Sequence, residues 1–331
     1  MSMEVSVVIP NYNGKHFLKT CLNALKHQSF QDMEVIVVDN GSTDGSMDYL
    51  EKYFPWVHVI GMFENYGFSR AVNEGIKAAK APYVILLNND TKPGRNFVRE
   101  LYLGIEKDER LFSCSAKMLK YHLPEKIDNA GDYYSTLGWA FARGEYANKK
   151  AYRKEQDVFS SCAGAAIYRK KIFETIGYFD EAHFAYLEDI DVCFRARIYG
   201  YRNRYLPKAL VYHVGSGTAD AQPNQFRILK SARNSVYLIY KNLPPLMVLF
   251  NLQHLLIGYA YQLAKAVKKG YGKEYLKALW DGGKLCLEHS EKRVKFQKEH
   301  IKEYLKIEGE MLVGTVLRLA EFIRVRSDAV Q

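Results

Sequence analysis

The 331-residue sequence has no long uninterrupted apolar run, no CxxC pair and neither of the common phosphate-binding glycine loops. Each absence excludes a class of protein. The most apolar stretch, residues 246–263, is broken by Asn251, Gln253, His254 and Gln262. A spanning helix of about 20 apolar residues rarely carries so many polar groups. Residues 5–10 are apolar, but no basic segment precedes them and the run is too short for a leader. The sequence therefore predicts neither a signal peptide nor a membrane span. Five cysteines (Cys21, Cys114, Cys162, Cys193, Cys286) are an odd count without metal-ligand spacing. This argues against an oxidised scaffold or a zinc ribbon and for a reducing compartment. Without GxxxxGK(S/T), or GxGxxG after the first strand, a P-loop NTPase and a dinucleotide-dependent dehydrogenase are disfavoured.

What is present is ordinary for a globular chain: 48% apolar and 25% charged residues. That composition excludes a disordered or collagen-like protein. The length suits about two domains. Net charge is +10, and the last 91 residues carry sixteen Lys and Arg against ten Asp and Glu. Such a bias fits an anionic partner, either nucleic acid or a lipid surface, and equally a solvated basic surface.

Strand and helix signals alternate through the first third. Residues 5–10, 34–39, 56–62 and 83–87 read as strands. Phe17, Leu18, Cys21, Leu22 and Leu25 line one face of a helix, and residues 68–80 form another. Continuous apolar strands separated by helices predict a doubly wound, mostly parallel α/β sheet of Rossmann-like type. Residues 119–157 have weak periodicity and read as loops or a small irregular insertion. Strand signal returns at residues 158–168 and 209–214, with a helix from Glu188. Beyond residue 241 the pattern is helical. Leu246, Leu249, Phe250, Leu252, Leu255, Leu256, Tyr259 and Leu263 form a broad apolar face ending in Lys265, Lys268 and Lys269. Ile301, Leu305, Leu312, Leu319 and Phe322 recur at steps near seven, a pattern that suits helix pairing between copies.

In an open parallel sheet, ligands bind beyond the carboxyl ends of the strands. Three strands deliver polar tips there: Pro10-Asn-Tyr-Asn-Gly14, Asp39-Asn-Gly-Ser-Thr-Asp-Gly45 and Asn88-Asn-Asp90. Asp44 is expected to cap the helix that follows it. Acids on two tips suit two tasks, accepting the imide N–H of a pyrimidine base and holding a divalent cation with its phosphates. A second cluster, Glu188, Asp189 and Asp191, opens a helix whose Arg195 is spaced to pair with Asp191. Three acids so close repel one another unless a cation or a proton-transfer role balances them. His213 ends the strand at residues 209–213.

Five segments in this order resemble the motif series of family 2 glycosyltransferases with a GT-A fold. They are Val7-Val-Ile-Pro-Asn-Tyr-Asn-Gly14, Val38-Asp-Asn-Gly-Ser-Thr-Asp-Gly45, Asn65-Tyr-Gly-Phe-Ser-Arg-Ala-Val-Asn73, Leu87-Asn-Asn-Asp-Thr91 and Leu187-Glu-Asp-Ile-Asp-Val-Cys-Phe-Arg195. Within the family they are most similar to rhamnosyltransferase-type members that build bacterial surface polysaccharides. The resemblance covers residues 5–242. It implies a GT-A nucleotide-sugar transferase domain at residues 1–242, followed by a helical C-terminal region at residues 243–331 that serves a membrane interface, dimerisation or both. It implies an inverting transferase that uses Mg²⁺ or Mn²⁺.

The resemblance also assigns residues. Asp39 matches the acid on the base, and Pro10, Asn11 and Asn13 match the loop beneath it. Asn65, Arg70 and Asn89 fall in the same nucleotide-binding motifs. Arg70 suits a phosphate contact or an exposed helix face. Asp90 matches the last acid of the metal-binding triplet, here Asn-Asn-Asp, and His213 matches a metal-ligand histidine of some relatives. Asp189 matches the catalytic base, with Glu188 beside it. Tyr133, Tyr134 and Trp139 suit stacking on an acceptor sugar or core packing.

The implied reaction transfers rhamnose from dTDP-rhamnose to a polyprenyl-linked saccharide at the inner face of the cell membrane, by a cytoplasmic, peripheral enzyme. A UDP-hexose donor on the same fold is the near alternative. A non-catalytic, membrane-associated nucleotide-binding subunit is the alternative of another class. No nucleic-acid module is recognised, so nucleic acid is not expected as a partner.

Overall fold

The computed structural model describes residues 3–215 and 223–328. The first elements are β1 (Val5–Asn11), α1 (Lys15–Lys26), β2 (Met33–Asp39), α2 (Ser46–Tyr53), β3 (His58–Gly61), α3 (Phe68–Ala78) and β4 (Tyr83–Leu87). Then come β5 (Thr91–Pro93), α4 (Phe97–Glu106), β6 (Leu111–Lys120), β7 (Leu123–Asn129), β8 (Asp132–Tyr134), β9 (Ala140–Ala142), β10 (Gln156–Val158), β11 (Ala165–Arg169), α5 (Phe173–Ile176), α6 (Glu188–Ile198) and β12 (Arg202–His213). Four helices close the chain: α7 (Pro223–Asn242), α8 (Pro245–Lys268), α9 (Gly272–Glu288) and α10 (Ile301–Asp328).

Alternation along the strands builds two cores on one sheet. Val5, Val7 and Ile9 of β1 face one side with Val35 and Val37 of β2 and Ile85 and Leu87 of β4. There they meet Leu18, Leu22 and Leu25 of α1 and Val98 and Leu101 of α4. Val8, Ile36, Val38, Val84 and Leu86 face the other side, against Ala71, Val72 and Ile76 of α3 and Val192, Cys193 and Ala196 of α6. Each such side chain, once buried, contributes about 1.5–3 kcal/mol. The strand order is β10-β12-β6-β11-β4-β1-β2-β3, with β5 on β12 and β7 on β6. The pairs β1–β2, β1–β4, β2–β3 and β6–β12 are parallel, and β11 runs antiparallel between β4 and β6. The fold is thus the doubly wound, mostly parallel α/β sheet expected, with a helical C-terminal region.

Residues 119–157 differ from expectation. They are not an irregular insertion: β7 pairs with β6 and β10 pairs with β12. The signal is weak there because residues 123–126 of β7 are exposed and β8, β9 and β10 have only three residues each. Just before that segment, β6 is buried along nearly its whole length yet carries Ser113, Ser115 and Lys117. Ser113 Oγ donates to Asn203 Oδ1 and shares a second hydrogen bond with Ser161 Oγ, both at 2.8 Å, and Lys117 Nζ donates to the Ala151 carbonyl at 2.7 Å. Polar alternation that reads as a wet face is here interior, satisfied at Ser113 and Lys117, while Ser115 Oγ is buried without a hydrogen-bond partner. The stretch expected as one strand at 158–168 is two, β10 and β11, and the third strand is only His58–Gly61.

The chain divides into two compact units. One comprises Met1–Asp132, Ala142–Ala196 and Tyr201–Pro223; the other comprises Tyr133–Phe141, Arg197–Gly200 and Asn224–Gln331. In the second unit α8 buries Asn251, Leu255, Gly258 and Ala266, and α9 buries Tyr275, Ala278, Gly282, Leu285 and Cys286. Tyr304, Ile307 and Met311 of α10 are buried, whereas Ile301, Leu305, Leu312 and Leu319 are exposed. The side chain of Phe322 lies outside the described residues.

The close approach of α3 to the sheet depends on Gly75, where a Cβ would stand 2.2 Å from Val8 Cγ1 and 3.1 Å from Val38 Cγ2. Gly75→Val should therefore lower stability by about 3 kcal/mol through overpacking, measured by urea unfolding. An unchanged urea midpoint would contradict this packing.

Candidate active site at the carboxyl edge of the sheet

Because β1 is parallel to both β2 and β4, their carboxyl ends share one edge. Side chains tie those ends together. Asn11 Nδ2 donates to Asp39 Oδ2 at 2.8 Å, and Asn11 Oδ1 accepts from Asn89 Nδ2 at 2.7 Å. The other Asp39 oxygen accepts from the Ser42 N–H at 2.9 Å. Asn13 has φ 49°, a left-handed conformation that asparagine tolerates. Its Oδ1 accepts from the Thr43 N–H at 2.8 Å, while its own N–H donates to Ser42 Oγ at 2.9 Å. Pro10 pairs in register with Val38. The first two polar tips are therefore one interlocked loop pair.

Asp44 behaves as a double cap. Gly45 holds the cap position of α2, but Asp44 Oδ1 accepts from the Ser46 N–H at 3.0 Å and Oδ2 from the Lys15 N–H at 2.9 Å, opening α1. Slight burial would raise its pKa; the bonds from Ser46 and Lys15 outweigh this and hold the carboxyl below its usual range. Asn65 Oδ1 accepts from Asn40 Nδ2 at 2.9 Å and from the Gly67 N–H at 3.0 Å. Asn65 thus shapes the turn into α3. The exposed Arg70 lies over the Tyr66 ring, 4.1 Å from its centroid.

Asp90 follows Asn89 and is buried. Pairing of β5 with β12 sets His213 opposite Thr91. This brings His213 Nε2 to 3.4 Å from Asp90 Oδ1, and His213 Nδ1 to 2.7 Å from Asp128 Oδ2. Lys120 Nζ donates to the other Asp128 oxygen at 2.9 Å. Burial alone would lower the His213 pKa, but its bonds to Asp128 and Asp90 push it up to about 10. Burial likewise opposes ionisation of Asp128, yet His213 and Lys120 bring it down to about 2. The arrangement is a histidine held by one carboxylate and aimed at another, as second-shell carboxylates orient metal-binding imidazoles.

Asp189 sits at the first turn of α6. Its Oδ1 accepts from the Ile190 N–H at 2.8 Å and its Oδ2 from the Ala163 N–H at 3.3 Å. The Gly164 carbonyl next in that loop accepts from the Asn88 N–H at 2.9 Å. Asp189 is thereby fixed beside the β4 tip that leads to Asp90. The preceding turn is unusual. Phe184, Tyr186 and Leu187 all have φ between 64° and 71°. Phe184 (φ 64°, ψ −61°) forms a γ-turn in which the Ala185 N–H reaches the His183 carbonyl at 2.7 Å. That turn class is rare and strained. The Phe184 carbonyl in turn accepts from the Ser69 N–H at 3.3 Å, linking this turn to the start of α3.

Around Asp189 the carboxyls differ in character. Glu188 is buried, and its Oε2 has no hydrogen-bond partner. Burial first, then the neighbouring Asp189, pushes Glu188 well above the usual carboxylate range. Burial and Asp189 do the same to Asp132, whose Oδ1 accepts from Asn129 Nδ2 at 2.7 Å. Burial raises Asp189 as well, but the Ala163 and Ile190 N–H groups pull it back. Asp132, Cys162 and Asp189 offer donor atoms all within 4.8 Å of one another. Asp191, by contrast, is structural: Arg195 Nη2 meets its Oδ2 at 2.9 Å, and the same guanidinium donates to the Gly177 and Tyr178 carbonyls.

Sequence reasoning did not find Asp128, Asp132 or Cys162. The two acids lie in the segment expected to be irregular, and only strand pairing reveals their direction. Tyr134 is fully buried in the second unit, Trp139 stacks with Tyr261 at 5.5 Å, and Tyr133 lies 5.3 Å from Phe141. These contacts fit the core-packing reading for Tyr134.

The sequence profile described as "Glycosyl transferase family 2" matches residues 6–177, slightly more than half of the chain. The chain belongs to glycosyltransferase family 2. A segment of 112 residues is 31% identical to the glycosyltransferase GlyG of Streptococcus pneumoniae serotype 4, covering 33% of this chain and 37% of that protein. Another of 106 residues is 36% identical to the poly(ribitol-phosphate) beta-glucosyltransferase of Bacillus spizizenii, covering 30% of this chain and 17% of that one. The matches thus span well under half of these relatives' lengths. Among solved structures, GalNAc-T7 with UDP, GalNAc and Mn²⁺ superposes with a TM-score of 0.57 at 15% identity, over 81% of this chain and 58% of that one. This likeness shows the GT-A fold. The transferase motifs named from the sequence therefore lie on the edge that the fold uses for ligands.

In this family 2 glycosyltransferase the Asp191–Arg195 pair anchors the helix that carries Asp189. Arg195→Met should take the guanidinium from the buried Asp191 and cost about 3–5 kcal/mol, read by thermal and urea unfolding. A loss below about 1 kcal/mol would contradict the anchoring role.

Proposed function

We propose that this glycosyltransferase moves rhamnose from dTDP-rhamnose, with inversion, onto a polyprenyl-linked saccharide of a bacterial surface glycan. The setting is the cytoplasm, at the inner face of the cell membrane. The observation that carries the reading is the bonded chain from Asp39 through Asn11 to Asn89, with Asp90 and His213 next along the edge and Asp189 fixed to the same strand tip through residues 163–164. Asp39 with Pro10, Asn11 and Asn13 would hold the pyrimidine; Asn65, Arg70 and Asn89 would shape or contact the nucleotide.

A divalent cation fits the residues present. A buried carboxylate and a half-buried imidazole facing one another are an O/N donor set suited to Mn²⁺ or Mg²⁺. Asp90 and His213 would hold it, with Asp128 fixing the His213 ring. Asn88 and Asn89 supply no carboxylate, and Asn89 is already engaged by Asn11. When bound, such an ion neutralises charge on a departing diphosphate.

Asp189 is the base of this reading. Its two backbone hydrogen bonds favour the ionised form, while Glu188 and Asp132 are biased toward keeping their protons. It would take the proton of the acceptor hydroxyl as that oxygen attacks the anomeric carbon opposite the leaving diphosphate. Asp189→Asn should lower kcat about 10²–10⁴-fold with nucleotide binding and folding unchanged. Because burial raises Asp189, wild-type kcat/KM should fall as pH drops through a midpoint above the ordinary carboxylate value of about 3.9. Retained turnover in Asp189→Asn would overturn this assignment.

The donor is tested by thermal-shift titration. dTDP-rhamnose with Mn²⁺ should raise the melting temperature more than UDP-sugars do, and EDTA should remove the effect. A shift with UDP-hexoses alone would favour the second reading, which the UDP-bound structural neighbour supports.

A further inference from the structure

In the second unit α8 buries a narrow row and leaves a wide apolar one outside. Leu246, Leu249, Phe250, Leu256, Ile257 and Val267 are each more than half exposed, up to 79% for Leu246. Their spacing of three, four and seven keeps them on one side of the helix for about six turns. The interruptions on that side are Gln253, Ala260 and Ala264. A row of this size on one helix is a binding surface rather than scattered surface hydrophobes. The neighbouring α9, which packs on α8 after a three-residue turn, carries exposed Leu276, Trp280 and Leu287 at matching helical steps.

Charge identifies the occupant. No Asp or Glu occurs from Pro245 to Gly272, while exposed Lys265, Lys268 and Lys269 end the apolar row. On α9 Lys273, Lys277 and Lys284 are balanced by Glu274, Asp281 and Glu288, so the excess positive charge lies at the end of α8. A second copy brings the same lysines and no acid from α8 to answer them. A spanning segment is excluded for the described residues, because no helix among them is long and apolar enough to cross a membrane. An apolar face with a basic border matches a helix lying in the headgroup region of an anionic bilayer.

We propose that the exposed face of α8, with Lys265, Lys268 and Lys269 at its end, docks this enzyme in the plane of a bilayer carrying anionic phospholipid headgroups. The inference deepens the reading of a lipid-linked acceptor, but its test needs no acceptor and no turnover. Purified full-length protein is floated with vesicles of phosphatidylcholine alone or with added phosphatidylglycerol, at low and high salt. Binding is expected on phosphatidylglycerol vesicles, weakened by salt. Replacing the three lysines by Gln should weaken it roughly fivefold per residue. L249E/F250E should abolish it while helical circular dichroism and the nucleotide thermal shift stay intact. Two results would overturn the proposal. One is no binding of wild-type protein to anionic vesicles. The other is a wild-type dimer in light scattering that L249E/F250E converts to monomer, which would assign the face to a second copy. Failure here leaves the donor and Asp189 tests standing, so the two readings fail separately.

Discussion

The site depends on a single amide. Asn11 Nδ2 donates to Asp39 and Asn11 Oδ1 accepts from Asn89 Nδ2, so one side chain fixes the ends of three adjacent strands. The orientation is forced by chemistry. An ionised carboxylate only accepts, so the amide nitrogen must face Asp39 and the oxygen is left for Asn89. Asn89 is consequently spent on architecture, and in the proposed reading metal ligation is left to Asp90. The Asn-Asn-Asp triplet is thus a division of labour: one asparagine closes the strand edge, and the acid is freed to face His213.

A second constraint is the strained turn before α6. Three left-handed non-glycine residues within four positions cost of order 1–3 kcal/mol each. Backbone bonds tie the turn down: the Ser69 N–H reaches the Phe184 carbonyl and the Asp191 N–H the Leu187 carbonyl, while the buried Arg195 fixes Asp191 and the carbonyls of Gly177 and Tyr178. The result is a rigid platform on which Asp189 receives two N–H bonds while Glu188 and Asp132 crowd it from low-dielectric surroundings. Burial raises all three carboxyls, but the two N–H bonds pull Asp189 back, so it gives up its proton more readily than its neighbours.

Much of this was legible in the sequence. The buried strands at 5–10, 34–39 and 83–87 announced themselves by continuous β-branched and aliphatic runs, and their polar tips named the edge. The Asp191–Arg195 spacing predicted the pair that forms. What failed were places where burial contradicts polarity. β6 buries Ser113 and Lys117 behind hydrogen bonds and Ser115 without one, so it carried no strand signal. Asp128 and Asp132 approach the site only through the pairing of β7 with β6 and the bridge of Asp132 to Ser160. No short-range pattern encodes those partners. On α8 the sequence read one broad apolar face, and the structure divides it into a buried row and an exposed one.

The account's central claim is that one cleft at the carboxyl edge holds a cation at Asp90 and His213, with the proton acceptor Asp189 across from it. Anomalous diffraction from crystals grown with Mn²⁺ and a nucleoside diphosphate tests this most directly. The account predicts a manganese peak bonded to an Asp90 oxygen and His213 Nε2, with the diphosphate on its open side and Asp189 free of metal. A peak seated instead among Asp132, Cys162 and Asp189 would contradict it.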